Sequence, residues 1–344
     1  MPSRFRRPVR LRVERLEDRT MPVAGNLDPG FGAGGVMTLR NDLFAVLPSD
    51  PEYLPGSGHP STVGATPGGG VVLGGPVSGE TVSGNPVNGF AFRRLTAAGQ
   101  PDPSYGDGGR AYVYLGASNL HGYAGRVTAD GGVVFAGVTV LPSGAEAVSV
   151  YRLTPAGVPD LAFGPGGMRS AVIRPPGAES FMPTGEPHTA VLADGGVVVV
   201  GVRDTHFSHN LNVARVTPAV ALDPTFDADG VAGIPLTGTF YPTAVSVQPD
   251  GIVVAGNETV AGGTALAAVR VRADGSLDTT FGTNGEATVA FDGSAVTHAV
   301  VVQPGGGIVL LGQVTLAGYP DPTTGVPGGG ADATAAARLT PAGQ

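Results

Sequence analysis

The chain of 344 residues contains no cysteine and no lysine. The absence of cysteine excludes a disulfide scaffold and any thiolate metal site. Because lysine is absent, all 20 basic residues are arginine, and 28 acidic residues give a net charge of −8. The excess of acids lies in the body of the chain, and an acidic body argues against a phosphate backbone as partner, so nucleic acid is not expected to bind.

Long apolar runs are also missing from the sequence. No stretch approaches the roughly 18–20 apolar residues of a membrane-spanning helix, so no transmembrane segment is expected. The N-terminus also lacks the apolar stretch of about 7–15 residues that a standard signal peptide contains.

Residues 1–26 differ from the rest of the chain in charge. Residues 1–20 hold seven arginines and three acids, whereas the remainder is strongly acidic. The element Leu16-Glu17-Asp18-Arg19 resembles the leader of many large bacterial surface proteins, which implies an extracellular or cell-surface location. A frayed amphipathic tail explains these residues equally well. We expect 1–26 to be a disordered leader or targeting segment.

Glycine (57 residues) and proline (31 residues) are abundant, and they recur periodically, which indicates turns rather than disorder. Three blocks recur five times in a fixed order. The first contains an aromatic residue followed by glycine or aspartate: 27–32, 101–106, 159–164, 222–227 and 277–282. The second is a turn followed by a valine-rich strand: 68–75, 130–137, 194–201, 250–256 and 305–312. The third is a strand that reaches an arginine: 94–96, 152–154, 215–217, 270–272 and 338–340.

Each repeat predicts four short antiparallel strands and no helix. Asp-Gly and Gly-Gly favour the positive φ angles of tight hairpins. The strand after each turn is apolar at successive positions, so both of its faces must be covered by neighbouring sheets. Blades of a β-propeller meet these conditions. A linear solenoid is the rival architecture, but no distinct capping repeats are visible.

The blocks 277–282, 247–256 and 271–278 resemble the bacterial delta-60 repeat, a family similar to the NHL-type propellers. The resemblance spans residues 27–344, and it departs in the first repeat, where Thr66-Pro67-Gly68 replaces the Gln-Pro-Asp turn. It implies a propeller in a secreted or surface protein and no single activity. The predicted repeats are 27–100, 101–158, 159–221, 222–276 and 277–344.

By analogy with such propellers, the chain begins with an outermost strand, 36–39, and ends with a third strand, 335–340. We expect these two strands to pair, which closes a five-bladed ring and removes two exposed edges.

An arginine in each repeat is followed eight residues later by an aspartate. This offset spans a hairpin, so the two side chains are expected to meet, and recurrence in every repeat favours a structural role over an acid–base site. The last arginine has no such aspartate and the first aspartate has no such arginine, so these two are expected to pair across the closure. The predicted pairs are Arg94–Asp102, Arg152–Asp160, Arg215–Asp223, Arg270–Asp278 and Arg338–Asp28.

The loops of variable length fall on one face of the predicted ring, called here the loop face. The short, similar turns fall on the other, the turn face. Variable loops on a rigid frame commonly bind partners. We expect an unidentified protein or glycan to bind through loops 41–60, 76–89, 174–187, 202–210 and 313–334.

Histidines also fall on the loop face, and imidazole binds zinc and similar ions. Four of them precede or begin innermost strands: His59, His121, His188 and His298. They do not share one repeat position, and no carboxylate recurs beside them. Ordinary polar loop residues are therefore the favoured interpretation, a metal site being the weaker one.

The sequence favours a noncatalytic, monomeric binding or scaffolding propeller, since no catalytic motif, cofactor motif or nucleophilic elbow is found. The alternative is a propeller enzyme that acts on a carbohydrate or a lactone at a site in the channel mouth, with or without a metal ion. Both hypotheses are compatible with the chain being one module of a larger surface protein.

Overall fold

A computed structural model describes most of the chain. The described residues are 28–33, 36–37, 53–54, 62–81, 86–116, 120–178, 180–181, 187–205, 208–316 and 331–344. The predicted leader, 1–26, lies outside them. No helix in these ranges is long and apolar enough to cross a membrane.

Within the described ranges the chain forms antiparallel sheets whose strands follow one another in sequence. The first sheet contains β1 (Tyr53–Leu54), β2 (Thr62–Ala65), β3 (Val71–Thr81), β4 (Pro86–Leu95) and β5 (Arg110–Gly116). The second contains β6 (His121–Val127), β7 (Val133–Val140), β8 (Glu146–Leu153) and β9 (Met168–Arg174), and a short 3-10 helix (Pro165–Gly167) precedes β9.

The third sheet contains β10 (His188–Val191), β11 (Val197–Thr205), β12 (Ser208–Val216) and β13 (Val231–Pro235). The fourth contains β14 (Phe240–Gln248), β15 (Gly251–Val260), β16 (Gly263–Arg272) and β17 (Glu286–Val289). The fifth has three described strands: β18 (Gly293–Val302), β19 (Ile308–Leu316) and β20 (Ala331–Leu339). The predicted four-stranded antiparallel sheets are thus confirmed, and β1 is an addition that pairs with β3 beyond β2.

The hairpin turns explain why glycine is needed at particular positions. In the second and third sheets, Gly131 and Gly195 both have φ of +92°, in the left-handed region that side chains with a Cβ disfavour. Just before them, the carboxylates of Asp130 and Asp194 accept hydrogen bonds from the N–H groups of Gly132 and Gly196. These local bonds fix the hairpin between the first two strands of each sheet.

The middle strands confirm the predicted burial only in part. In the third sheet, residues 197–200 are all 0% exposed, so both faces of β11 are covered. In the fifth sheet, Ile308 and Leu310 are buried, but Leu311 on the opposite face of β19 is 38% exposed. In the fifth sheet, the described residues thus pack on the face toward the fourth sheet, and cover on its other face stays a prediction that depends on closure of the ring.

Successive sheets pack face to face in chain order through four apolar cores, each shared by two neighbours. The aromatic residue of the first repeated block is buried in each core: Tyr105, Phe163, Phe226 and Phe281. Burying such a ring contributes about 2–3 kcal/mol. The innermost strands β2, β6, β10, β14 and β18 also pack on one another in this order. Among the described residues, β2 and β18 do not pack on each other to a comparable extent.

The chain divides into two compact units, Met1–Thr38 and Leu39–Gln344. In the first, Val36 forms an isolated bridge with Ala33. Residues 38 and 39 of the predicted closing strand lie outside the described residues, so the pairing of 36–39 with 335–340 stays a prediction.

Candidate functional site

The structure brings together four of the five predicted arginine–aspartate pairs. The closest N–O distances are 2.7 Å for Arg94–Asp102, 3.6 Å for Arg152–Asp160, 3.1 Å for Arg215–Asp223 and 2.5 Å for Arg270–Asp278. The fifth pair, Arg338–Asp28, joins residues of the two compact units and stays a prediction.

In three of these pairs, the arginine also donates a hydrogen bond to a backbone carbonyl of the next sheet. Arg94 Nη1 donates to the carbonyl of Pro155 in the turn of the second sheet (2.7 Å). Arg270 Nη1 donates in the same way to Pro341 of the fifth sheet (2.6 Å). The guanidinium of Arg270 also lies 4.9 Å from the centre of the Phe281 ring. These contacts favour a structural role between sheets.

Three of these aspartates, Asp102, Asp223 and Asp278, have a pKa below the usual value for the side chain. Burial alone raises the pKa of Asp278, but hydrogen bonds from Thr280 and Arg270, and the charge of Arg270, outweigh it and lower the pKa to about 2. The pKa of Asp102 is also lowered, mainly by hydrogen bonds from the hydroxyl and N–H of Ser104. A carboxylate with a lowered pKa is a poor proton donor near neutral pH, so these groups do not fit general acid catalysis.

The four histidines proposed as weak metal candidates are not equivalent in the structure. His121 begins β6 opposite Val138, and His188 begins β10 opposite Val200. His298 lies in a bulge of β18, and His59 lies outside the described residues. In the part of the chain that the structure describes, no group of three or more histidine or acidic side chains is placed to hold a metal ion.

Two of these histidines border the same cavity, at the loop-face ends of the innermost strands. The cavity has a volume of about 660 Å³, and we call it the inner-strand cavity. Its lining comes from three successive sheets: 120–123 from the second, 187–189 from the third and 243–245 from the fourth. A volume of this size is within the range of small-molecule sites.

The shape of the cavity depends on bulges in the innermost strands. Gly122 lies in an irregularity of β6 between His121 and Ala124, and Thr243 lies in a bulge of β14. Gly122 has φ of +54°, and a Cβ there would be 1.8 Å from the carbonyl oxygen of Pro187 in the next sheet. Glycine therefore allows the second and third sheets to approach at the cavity wall.

Two threonines at the cavity carry the unusual polar groups of the site. The hydroxyl oxygens of Thr189 and Thr243 are buried and have no hydrogen-bond partner. Thr297 in the fifth sheet differs, since its buried hydroxyl donates to the carbonyl of Gly256 (2.6 Å). Sequence reasoning located His121 and His188 by their place before innermost strands but missed both threonines, because no repeat pattern marks them.

Two acids near the loop face are engaged in hydrogen bonds within the protein. Glu146 is 5% exposed and accepts hydrogen bonds from the Ser180 hydroxyl (2.5 Å) and the Phe181 N–H (2.8 Å). Glu258 accepts a hydrogen bond from the Thr288 hydroxyl. Among the described lining residues of the inner-strand cavity there is neither an acid nor an arginine, so a carboxylate pair for glycosidic cleavage is not formed there.

Comparisons with known proteins concern the fold. Residues 248–281 match a family described as "Domain of unknown function (DUF5122) beta-propeller". No curated protein matches the chain.

Similar solved structures include a mutant of Synechocystis apocarotenoid oxygenase, at 14% identity and a TM-score of 0.41, covering 90% of this chain and 70% of that one. A glucose dehydrogenase has 16% identity and a TM-score of 0.37, covering 75% and 80%. CoXyl43, a GH43 β-xylosidase/α-arabinofuranosidase from a compost microbial metagenome, has 13% identity and a TM-score of 0.34, covering 83% and 91%. Likenesses this distant carry no argument about activity. The chain is an all-β protein with a β-propeller fold.

Proposed function

We propose that this protein is a noncatalytic binding module that acts outside the cell or at the cell surface and engages its partner through the loop face. The observation that carries the proposal is the inner-strand cavity. It is lined by the first residues of β6 and β10 and by the middle of β14, and in sequence the first two follow loops whose lengths vary between repeats. A rigid frame that supports variable loops around a concave site is typical of binding proteins.

We also propose that the chain is a monomeric, bacterial protein of the delta-60 type, and that residues 1–26 act in its export. The support is the recurrence of three blocks in register and the Leu-Glu-Asp-Arg element at 16–19.

The ring of five blades closes, in this proposal, by pairing 36–39 with 335–340. The support is a register that four repeats share. In each of these repeats, the residue just before the paired arginine lies opposite the residue that follows the buried aromatic by five positions. Examples are Val269 opposite Glu286 and Ala214 opposite Val231. The same rule places Val36 opposite Ala337. Closure would also cover two exposed apolar side chains of the fifth sheet, Val301 (52% exposed) and Leu311 (38% exposed).

A binding screen tests the proposed function. The full chain is screened against glycan and peptide arrays, and then with segment 117–119 or 182–186, each next to a cavity residue in sequence, replaced by glycine and serine. A matched control alters two exposed residues of the turn face, Ala97→Ser and Ala98→Ser. We expect the loop replacements to weaken binding at least tenfold and the control to leave it unchanged. Binding that survives both loop replacements, or that the control abolishes, would contradict a loop-face site.

A further inference from the structure

We propose that the inner-strand cavity binds a neutral saccharide, with the hydroxyls of Thr189 and Thr243 as hydrogen-bonding groups. This inference rests on the proposed binding function and names its ligand class.

The charge of the cavity favours an uncharged ligand. The lining contains two histidines but neither an acid nor an arginine among the described residues, and the chain as a whole is acidic. An anionic ligand would lose its hydration without gaining a fixed cation, and a metal or organic cation would find no carboxylate. A neutral ligand avoids both costs.

The polar groups favour a ligand that is rich in hydroxyls. A buried hydroxyl without a partner costs about 1–3 kcal/mol, and Thr189 and Thr243 contribute one each beside the same cavity. Rotation about the Cα–Cβ bond of a threonine exchanges its hydroxyl with its methyl group. A ligand that donates and accepts hydrogen bonds can therefore draw these hydroxyls toward the cavity and remove the penalty.

The remaining lining is apolar, which fits the other half of a sugar's surface. Leu120, Tyr123, Pro187 and Val245 border the cavity. A pyranose ring presents C–H groups on its faces and hydroxyls around its edge, so it matches walls of both kinds. A purely apolar ligand would leave both threonine hydroxyls without partners.

The test replaces the two hydroxyls with methyl groups of the same shape, in Thr189→Val, Thr243→Val and the double variant. The matched control is Thr154→Val, which removes a third buried, unpartnered hydroxyl outside the cavity. Neutral mono- and disaccharides (glucose, galactose, mannose, xylose and their dimers) and uronic acids are titrated into the full chain by calorimetry, and thermal unfolding is recorded for every variant.

We expect a neutral sugar to bind, with a Kd raised about five- to tenfold by each cavity variant and unchanged by Thr154→Val. The unfolding temperature should be unchanged or higher in all of them, because valine removes an unsatisfied polar group. A purely structural role of the hydroxyls would leave the Kd unmoved.

Other outcomes separate this inference from the proposed function. Preference for uronic acids, or sugar binding insensitive to both cavity variants, overturns the saccharide site. Peptide binding through the loop face with no sugar binding overturns the saccharide site and leaves the proposed function standing. Absence of binding to sugars and peptides alike overturns both.

Discussion

Replacing Asp278 with asparagine tests the structural role of the arginine–aspartate pairs where the contacts are best defined. Asp278 is 7% exposed. Its carboxylate accepts hydrogen bonds from Arg270 Nε (2.6 Å) and from the hydroxyl of Thr280 (2.6 Å). Arg270 also bonds the Pro341 carbonyl of the next sheet, so Asp278→Asn leaves a half-buried guanidinium without its counter-ion at the junction of two sheets.

The magnitude follows from the pKa and from burial. A pKa lowered from 3.8 to about 2 corresponds to about 2 kcal/mol of stabilisation at neutral pH. Removing one partner of a buried pair costs about 3–5 kcal/mol, and partial exposure of Arg270 places the effect at the low end. We expect Asp278→Asn to lower the free energy of unfolding by about 2–3 kcal/mol at pH 7.

The pH dependence has a definite sign. Because the pKa of Asp278 is lower in the folded than in the unfolded chain, its stabilisation is complete above the unfolded pKa and is lost as the pH falls through the folded pKa. The difference between the original chain and Asp278→Asn should narrow as the pH falls from about 4 toward 2. Urea unfolding followed by circular dichroism at several pH values measures this difference.

The control is Asp274→Asn, because Asp274 accepts hydrogen bonds from Ser276 within its own exposed turn. We expect little loss of stability from that change. Equal stability of the two variants at pH 7 would refute the structural role of the Arg270–Asp278 pair. A stability difference between the original chain and Asp278→Asn that does not vary with pH would refute it too.

Three further predictions concern one or two positions each. Tyr105→Phe removes a buried hydroxyl that has no partner, so the free energy of unfolding should stay the same or rise by about 1 kcal/mol; a loss above 1 kcal/mol in urea unfolding would show a missed hydrogen bond. Gly122→Ala should lower the free energy of unfolding by about 1–3 kcal/mol more than Gly108→Ala. Both glycines have φ near +55°, but only a Cβ at position 122 would meet backbone atoms. Equal melting temperatures of the two variants would contradict the close approach to Pro187. A double-mutant cycle of Asp28→Ala and Arg338→Ala should give a coupling of about 1 kcal/mol if the two side chains pair, and strict additivity would exclude the pair.

The repeats made the local structure predictable from the sequence. The Asp-Gly and Gly-Gly turns and the valine-rich strands are local signals that recur, and the eight-residue offset placed Arg94, Arg215 and Arg270 beside their aspartates. Such features depend on residues close in sequence, so periodicity is enough to find them.

The candidate site was less predictable because it depends on contacts between sheets. The irregularity at Gly122 reflects the approach of Pro187 from another repeat, which no local pattern encodes. The unpartnered hydroxyls of Thr189 and Thr243 are visible only once the neighbouring strands are in place. The exposure of Leu311 has no local signal either, because the apolar run 308–311 matches those of sheets covered on both sides.

Disulfide trapping tests the closed ring most directly, and the absence of native cysteine makes the result unambiguous. The double variant Val36→Cys with Ala337→Cys joins the positions that the shared register places opposite each other, and Met37→Cys with Ala337→Cys is one residue out of register. Closure predicts an intramolecular disulfide in the monomer for the first pair and free thiols for the second, measured by mass spectrometry under non-reducing conditions. Free thiols in the first pair, or a disulfide that appears only in dimers, would contradict it.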